Sequence, residues 1–136
     1  MRSRSLVAVA LAAGVMLLTA CSAGPNGADT ATAVRASAGA DGVQHLTLEV
    51  GNGMNFEPSS VIVKAGQPVE LTLHNGGETA HDFSMSAGVA QPVKLSAAGG
   101  QTASVTFSVS SPGTYSFDCS MPGHATAGMR GTLIAQ

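Results

Sequence analysis

Tryptophan is absent from this 136-residue chain, and four Phe and one Tyr are its whole aromatic content. That argues against a platform on which sugars or nucleobases would stack. Charge is also scarce, with Asp, Glu, Lys and Arg making up 10% of the residues and the net charge at −2. No run of Lys or Arg exists, which excludes the electrostatic footprint of a nucleic-acid binder. No pair of carboxylates and no Ser/His/Asp set stands out, so acid–base and nucleophilic catalysis have no visible machinery. Cysteine occurs only twice, there is no internal repeat, and no long segment carries a 3.6-residue apolar period. The longest apolar run, 6–18, is 13 residues, short of the ~20 a helix needs to cross a bilayer.

What the N-terminus does contain is order of another kind. Arg2 and Arg4 precede the apolar run and small residues follow it, the layout of an export signal over residues 1–20. Ser3 separates the two arginines, so no twin-arginine signal is visible. The segment ends Leu18-Thr19-Ala20-Cys21, which resembles the lipobox of bacterial lipoproteins. The resemblance implies that Cys21 is acylated and anchors an exported chain to the outer, extracytoplasmic face of a membrane. Loss of Arg2 and Arg4 with the signal takes the net charge from −2 to about −4. Two cysteines in an exported protein normally suggest a disulfide. With Cys21 lipidated, Cys119 has no partner, and a lone thiol in an oxidising compartment is a liability unless a metal occupies it.

Residues 21–42 are mostly Ala, Gly, Thr, Ser and Asn, without periodicity, and read as a flexible tether of at most ~70 Å reach. From residue 43 the character changes. His45-Leu46-Thr47-Leu48-Glu49-Val50 alternates polar and apolar, as a half-buried strand does. Further strands are expected at 60–64, 69–74, 81–85, 102–109, 113–119 and 131–135, separated by Gly-, Asn- and Pro-rich turns. Seven short strands over 43–136 predict one all-β domain, a Greek-key antiparallel sandwich or barrel. Its expected core is Leu46, Leu48, Val50, Val61, Val63, Val69, Leu71, Leu73, Val105, Phe107, Tyr115 and Phe117.

Strand parity then locates the chemistry. Cys119 shares a face with Tyr115 and Phe117, and His81 shares one with Phe83 and Met85, so thiol and imidazole both point inward. After Cys119 come four residues, His124, four more, and Met129, in a loop punctuated by Pro122, Gly123 and Gly128. Two imidazoles, a thiolate and a weak thioether form the donor set that selects copper in electron-transfer sites. His45 and His74 alternate with apolar neighbours and are expected at the surface; Met85 is expected to pack, and Met54 and Met121 to lie in loops.

These pieces together are similar to the cupredoxin family, the blue copper proteins that include plastocyanin, azurin and auracyanin. The resemblance runs from about residue 46 to 136, through Phe56-Glu57-Pro58, Val61-Ile62-Val63-Lys64-Ala65-Gly66, His81-Asp82-Phe83, and Pro112-Gly113-Thr114-Tyr115-Ser116-Phe117-Asp118-Cys119 up to Met129-Arg130-Gly131-Thr132-Leu133. It implies one copper ion held by His81, Cys119, His124 and axial Met129. One position departs: many cupredoxins carry Asn after the first histidine, where this chain has Asp82. A carboxylate cannot donate a hydrogen bond to the cysteine loop, so its bracing role there is open.

The function expected is electron transfer between redox proteins rather than catalysis. A second cysteine four residues after Cys119, as a dinuclear oxidase site needs, is replaced by Gly123, and the flanks of Cys119 are Asp118 and Ser120, not histidines. The alternative is a copper-delivery module. Partners are expected to dock a monomer near His124, over Met121, Pro122, Gly123, Ala125 and Ala127, with Gly76, Gly77, Ala80, Val89 and Pro92 extending the patch.

Overall fold

The structure, a computed structural model, describes residues 32–136. The expected signal at 1–20, Cys21 and the tether as far as residue 31 lie outside the described residues. Ten strands follow in order: β1 Val34–Arg35, β2 Ser37–Ala38, β3 Gln44–Val50, β4 Ser60–Val63, β5 Pro68–Asn75, β6 His81–Met85, β7 Val93–Ala97, β8 Thr102–Ser108, β9 Gly113–Asp118 and β10 Arg130–Ala135. They form a six-stranded sheet, β1-β4-β10-β9-β6-β7, and a four-stranded one, β2-β3-β5-β8. No helix long and apolar enough to cross a membrane occurs among the described residues.

Alternation drives the packing. Along β3 every second side chain, from Gln44 through Leu46 and Leu48 to Val50, is buried, while His45, Thr47 and Glu49 face out. The matching faces of β4, β5 and β10 add Val61, Val63, Val69, Leu71, Leu73 and Leu133, all fully buried. Each such side chain contributes roughly 1.5–3 kcal/mol by leaving water. Toward one end of the sandwich the core turns aromatic: Phe117 lies edge-on to Phe56 at 5.2 Å and tilted against Phe83 at 5.0 Å.

Several expectations need correction. The sandwich is not purely antiparallel: β3 runs parallel to β5, and β4 parallel to both β1 and β10. Strand β7 is not among the expected strands, although Val93, Leu95 and Ala97 do alternate with Lys94 and Ser96. Val105 and Tyr115, expected in the core, are only partly buried. Val105 sits on an edge strand, and Tyr115 folds over Gly88 so that its hydroxyl donates to the Ser111 carbonyl at 2.9 Å. The last part of the expected tether also belongs to the domain. Val34–Arg35 pairs with β4 and Ser37–Ala38 with β3, so five residues join the two sheets and close that side.

The weakest seam in the larger sheet lies beside the end where β6 begins. β6 and β9 are adjacent but share a single backbone pair, Ser84 with Asp118. On the far side β6 is fully laddered to β7, from His81 opposite Ala97 to Met85 opposite Val93.

Candidate metal centre

The donors converge at the end of the sandwich where β6 and β10 begin and β9 stops. His81 is the first residue of β6, Cys119 follows the last of β9, and Met129 precedes the first of β10. Between the last two, residues 120–128 form a compact turn. Its backbone closes on itself, with His124 N–H donating to Met121 O at 3.1 Å and Ala127 N–H to Gly123 O at 2.9 Å. Met129 N–H donates to His124 O at 3.0 Å, and Cys119 N–H donates to Met129 O at 3.1 Å. The chain can turn so tightly because Gly123 and Gly128 adopt φ of 85° and 105°, where a side chain would be strained.

Three of the expected donors come together directly. One ligand atom each from His81, Cys119 and His124 lie within 4.8 Å of one another, a spacing that one ion can bridge. Cys119 Sγ is 3.4 Å from His124 Nδ1, and the two imidazole rings are 5.1 Å apart. His81 and Cys119 are fully buried, while His124 is half-buried and forms the edge of the site nearest solvent. Met129 is also fully buried and belongs to the same buried cluster as Cys119, Phe83 and Phe117.

The imidazole of His81 carries the clearest sign of a metal. Its Nε2 lies 2.7 Å from the carbonyl of Gly51, which can only accept, so Nε2 carries the proton. Nδ1 is then an unprotonated lone pair, and among the described residues it has no hydrogen-bond partner despite being buried. An orphaned acceptor of this kind costs roughly 1–3 kcal/mol, and a metal would satisfy it. The proton on Nε2, fixed by a backbone carbonyl, is the usual way a metal-ligating histidine is oriented.

Gly51 is itself held in place. Gly77 packs against it so closely that a Cβ there would come within 2.5 Å of the Gly51 carbonyl carbon. Asn75, fully buried, donates through Nδ2 to Thr79 O at 2.8 Å and Ala97 O at 3.0 Å, and accepts from Gly77 N–H at 3.0 Å. One amide therefore ties β5, the loop leading into His81 and the end of β7.

Asp82 resolves the question its identity raised. Its backbone N–H donates to Cys119 Sγ at 3.4 Å. Its carboxylate accepts from Ser120 N–H at 2.6 Å and from Ser120 Oγ at 2.8 Å, with Lys94 Nζ 3.5 Å away. Bracing therefore runs in the opposite sense to an amide donor: the cysteine loop donates and residue 82 accepts. Nothing in the sequence pattern singles out Gly51, Asn75, Lys94 or Ser120, because each acts through backbone contacts or cross-strand register.

The remaining candidates separate from the site. His45 and His74 lie exposed on the outer face of the four-stranded sheet, against Glu70 at 2.8 Å and Glu49 at 2.5 Å. Met85 is buried packing, Met54 is exposed in its loop, and Met121 is half-buried against the core. Gly76 and Gly77 do sit beside the end of β3, at Val50 and Gly51, but Gly77 is buried. Val89 and Pro92 do not extend the patch at His124. They lie beyond the Met85–Val93 end of β6 and β7, with Val89 bridged to Val109.

An all-β sandwich with buried His81 and Cys119 clustered beside half-buried His124, and a buried Met following in the same loop, defines a cupredoxin, and the comparisons agree. The cupredoxin-like domain matches residues 9–135, and the chain belongs to that family. It is 41% identical over 100 residues to plastocyanin from Dryopteris crassirhizoma, covering 65% of this chain and 93% of that one. It is 25% identical over 100 residues to the copper-resistant cuproprotein CopI of Rubrivivax gelatinosus, spanning 61% of the length of each. Among solved structures, auracyanin from Roseiflexus castenholzii superposes with a TM-score of 0.63 at 19% identity, over 74% of this chain and 98% of that one. The donor set present suits a single copper ion.

Proposed function

We propose that the protein is an electron carrier in which His81, Cys119, His124 and Met129 hold one copper ion, working at the extracytoplasmic face of a membrane to which lipid on Cys21 anchors it. The observation that carries this reading is the buried, unpartnered Nδ1 of His81 beside the Cys119 thiol and the His124 ring. Bound copper would supply a one-electron Cu(I)/Cu(II) couple, for which thiolate and thioether favour the reduced state while imidazole suits both. The chain's own contribution is rigidity. The bonds from Cys119 to Met129, from Met129 to His124 and from His81 to Gly51 restrain the donors, so little has to move when the charge changes.

His124 is the electron port in this reading, since it alone of the four is half-buried. Its neighbours Pro122, Gly123 and Ala127 are small or apolar and exposed, suited to a brief encounter of a monomer with a redox partner below ~1,200 Å² of buried surface. Catalysis has little support, because the other described histidines, His45 and His74, lie on the opposite sheet against carboxylates. A copper-handling role is the second reading, favoured by the likeness to the copper-resistant cuproprotein.

The deciding experiment is titration of the purified protein with Cu(II), followed by repeated chemical reduction and reoxidation. The carrier reading expects one equivalent bound, an intense thiolate charge-transfer band in the visible, and that band restored in full after each cycle. Copper released on reduction, with colour lost, would favour handling over electron transfer. No visible band at all would remove both the ligand set and the function built on it.

A further inference from the structure

We infer that Lys94 is a positioning residue for the metal centre, acting through the buried carboxylate of Asp82 to brace the cysteine loop and raise the preference of the site for the reduced state. The inference rests on the electron-carrier reading and adds a residue outside the four-donor set.

The physical basis begins at the seam between β6 and β9. Only one backbone pair, Ser84 with Asp118, joins the two strands. Beyond that pair the link is made by a side chain: Asp82 on β6 accepts from both the N–H and the hydroxyl of Ser120, the residue after Cys119. Asp82 also donates its own N–H to Cys119 Sγ. This one residue therefore holds the thiol from two directions.

A side chain 2% exposed carrying a negative charge is costly to keep out of water unless a cation and hydrogen bonds compensate it. Lys94 is that cation. Ser84 of β6 lies opposite Lys94 and Asp82 opposite Ser96, so Lys94 is one diagonal step along β7 from the carboxylate. Its side chain reaches back to bring Nζ within 3.5 Å of Oδ2, the oxygen that also accepts from Ser120 Oγ. The ammonium itself is largely exposed, so its worth lies less in the pair's own energy than in where it fixes the carboxylate.

The electrostatic sign follows directly. A negative charge beside the cysteine loop stabilises the more positive, oxidised form of a bound metal, and a cation over that charge offsets it. Removing Lys94 exposes the full charge of Asp82 to the site and loosens the Ser120 contacts at the same time.

The test uses the full-length protein with Lys94→Gln, Lys94→Arg, Asp82→Asn and the double variant Asp82→Asn/Lys94→Gln. Two readings are taken: voltammetry of the copper-loaded forms, and amide hydrogen exchange at Ser120 in the copper-free forms. Lys94→Gln is expected to shift the Cu(I):Cu(II) preference about threefold or more toward Cu(II), a midpoint lower by ~28 mV at ~59 mV per tenfold. It is also expected to speed Ser120 amide exchange about threefold or more, and Lys94→Arg to restore both. In the Asp82→Asn background, Lys94→Gln is expected to leave Ser120 exchange unchanged and to move the midpoint clearly less, since only the direct, largely screened charge of the exposed ammonium remains. Lys94→Gln behaving as the parent in both readings overturns the inference. So does an undiminished midpoint shift in the Asp82→Asn background, which would make Lys94 an independent surface charge. If the parent forms no redox-active copper site, the carrier reading fails, while Ser120 exchange still decides whether Lys94 braces the loop.

Discussion

Truncation of Asn75 to Ala tests whether the frame under the metal centre is as rigid as its contacts imply. The change deletes three hydrogen bonds, to Thr79 O, Ala97 O and Gly77 N–H, at a fully buried position. At roughly 0.5–1.5 kcal/mol net for each, with a further cost where the abandoned groups stay dry, the loss is about 3 kcal/mol. For a domain of this size each kcal/mol lowers the melting midpoint by about 4–8 °C, so the copper-free protein should melt roughly 12–24 °C earlier. Urea unfolding should show a lower midpoint at an unchanged slope, since the surface exposed on unfolding is the same. The effect should extend to metal binding, because Gly77 packs on Gly51, whose carbonyl orients His81. The comparison is Thr72→Val, which removes an exposed hydroxyl contact to Ser104 and should change stability by less than about 0.5 kcal/mol. If Asn75→Ala costs under about 1 kcal/mol and leaves copper affinity intact, the hydrogen-bond argument for a preformed site is wrong.

Three further outcomes are expected. Cys119→Ser should abolish the visible charge-transfer band while the fold survives, as read by absorption and circular dichroism; retained colour would mean another residue supplies it. Met129→Gln should lower the reduction potential by stabilising Cu(II) and Met129→Leu should raise it, each by ~59 mV or more for a one-electron couple. Met121→Leu, half-buried in the same loop, serves as the control, and a strong shift there with none at Met129 would reassign the axial donor. Cys21→Ser should move the protein from the membrane to the soluble fraction on sedimentation, and mature protein found without lipid by mass analysis would contradict the anchor.

The local half of this protein is written in its alternation. Period-two patterning in His45–Val50, Val69–His74 and Gly113–Cys119 places the core residues on consistent faces, because a strand has only two sides and water selects between them. The same parity turns His81 and Cys119 inward, and Pro122, Gly123 and Gly128 announce a tight loop between Cys119 and Met129. Donor identity is legible for the same reason, since chemistry resides in side chains and side chains are the sequence.

Alternation is blind to direction and to neighbours, and that is where tertiary structure decided. β4 and β10 are far apart in the chain yet lie side by side and parallel, a pairing that no local pattern reports. Val34–Ala38 has the composition of a tether, but its backbone groups find partners on both sheets, and main-chain hydrogen bonds are indifferent to side-chain composition. Asp82 is readable from the sequence only as a departure from an amide. What it does depends on Ser120, 38 residues later, and on Lys94, brought over it by the register of β6 against β7. Sequence determined which atoms could bind a metal; cross-strand register determined which other atoms hold them still.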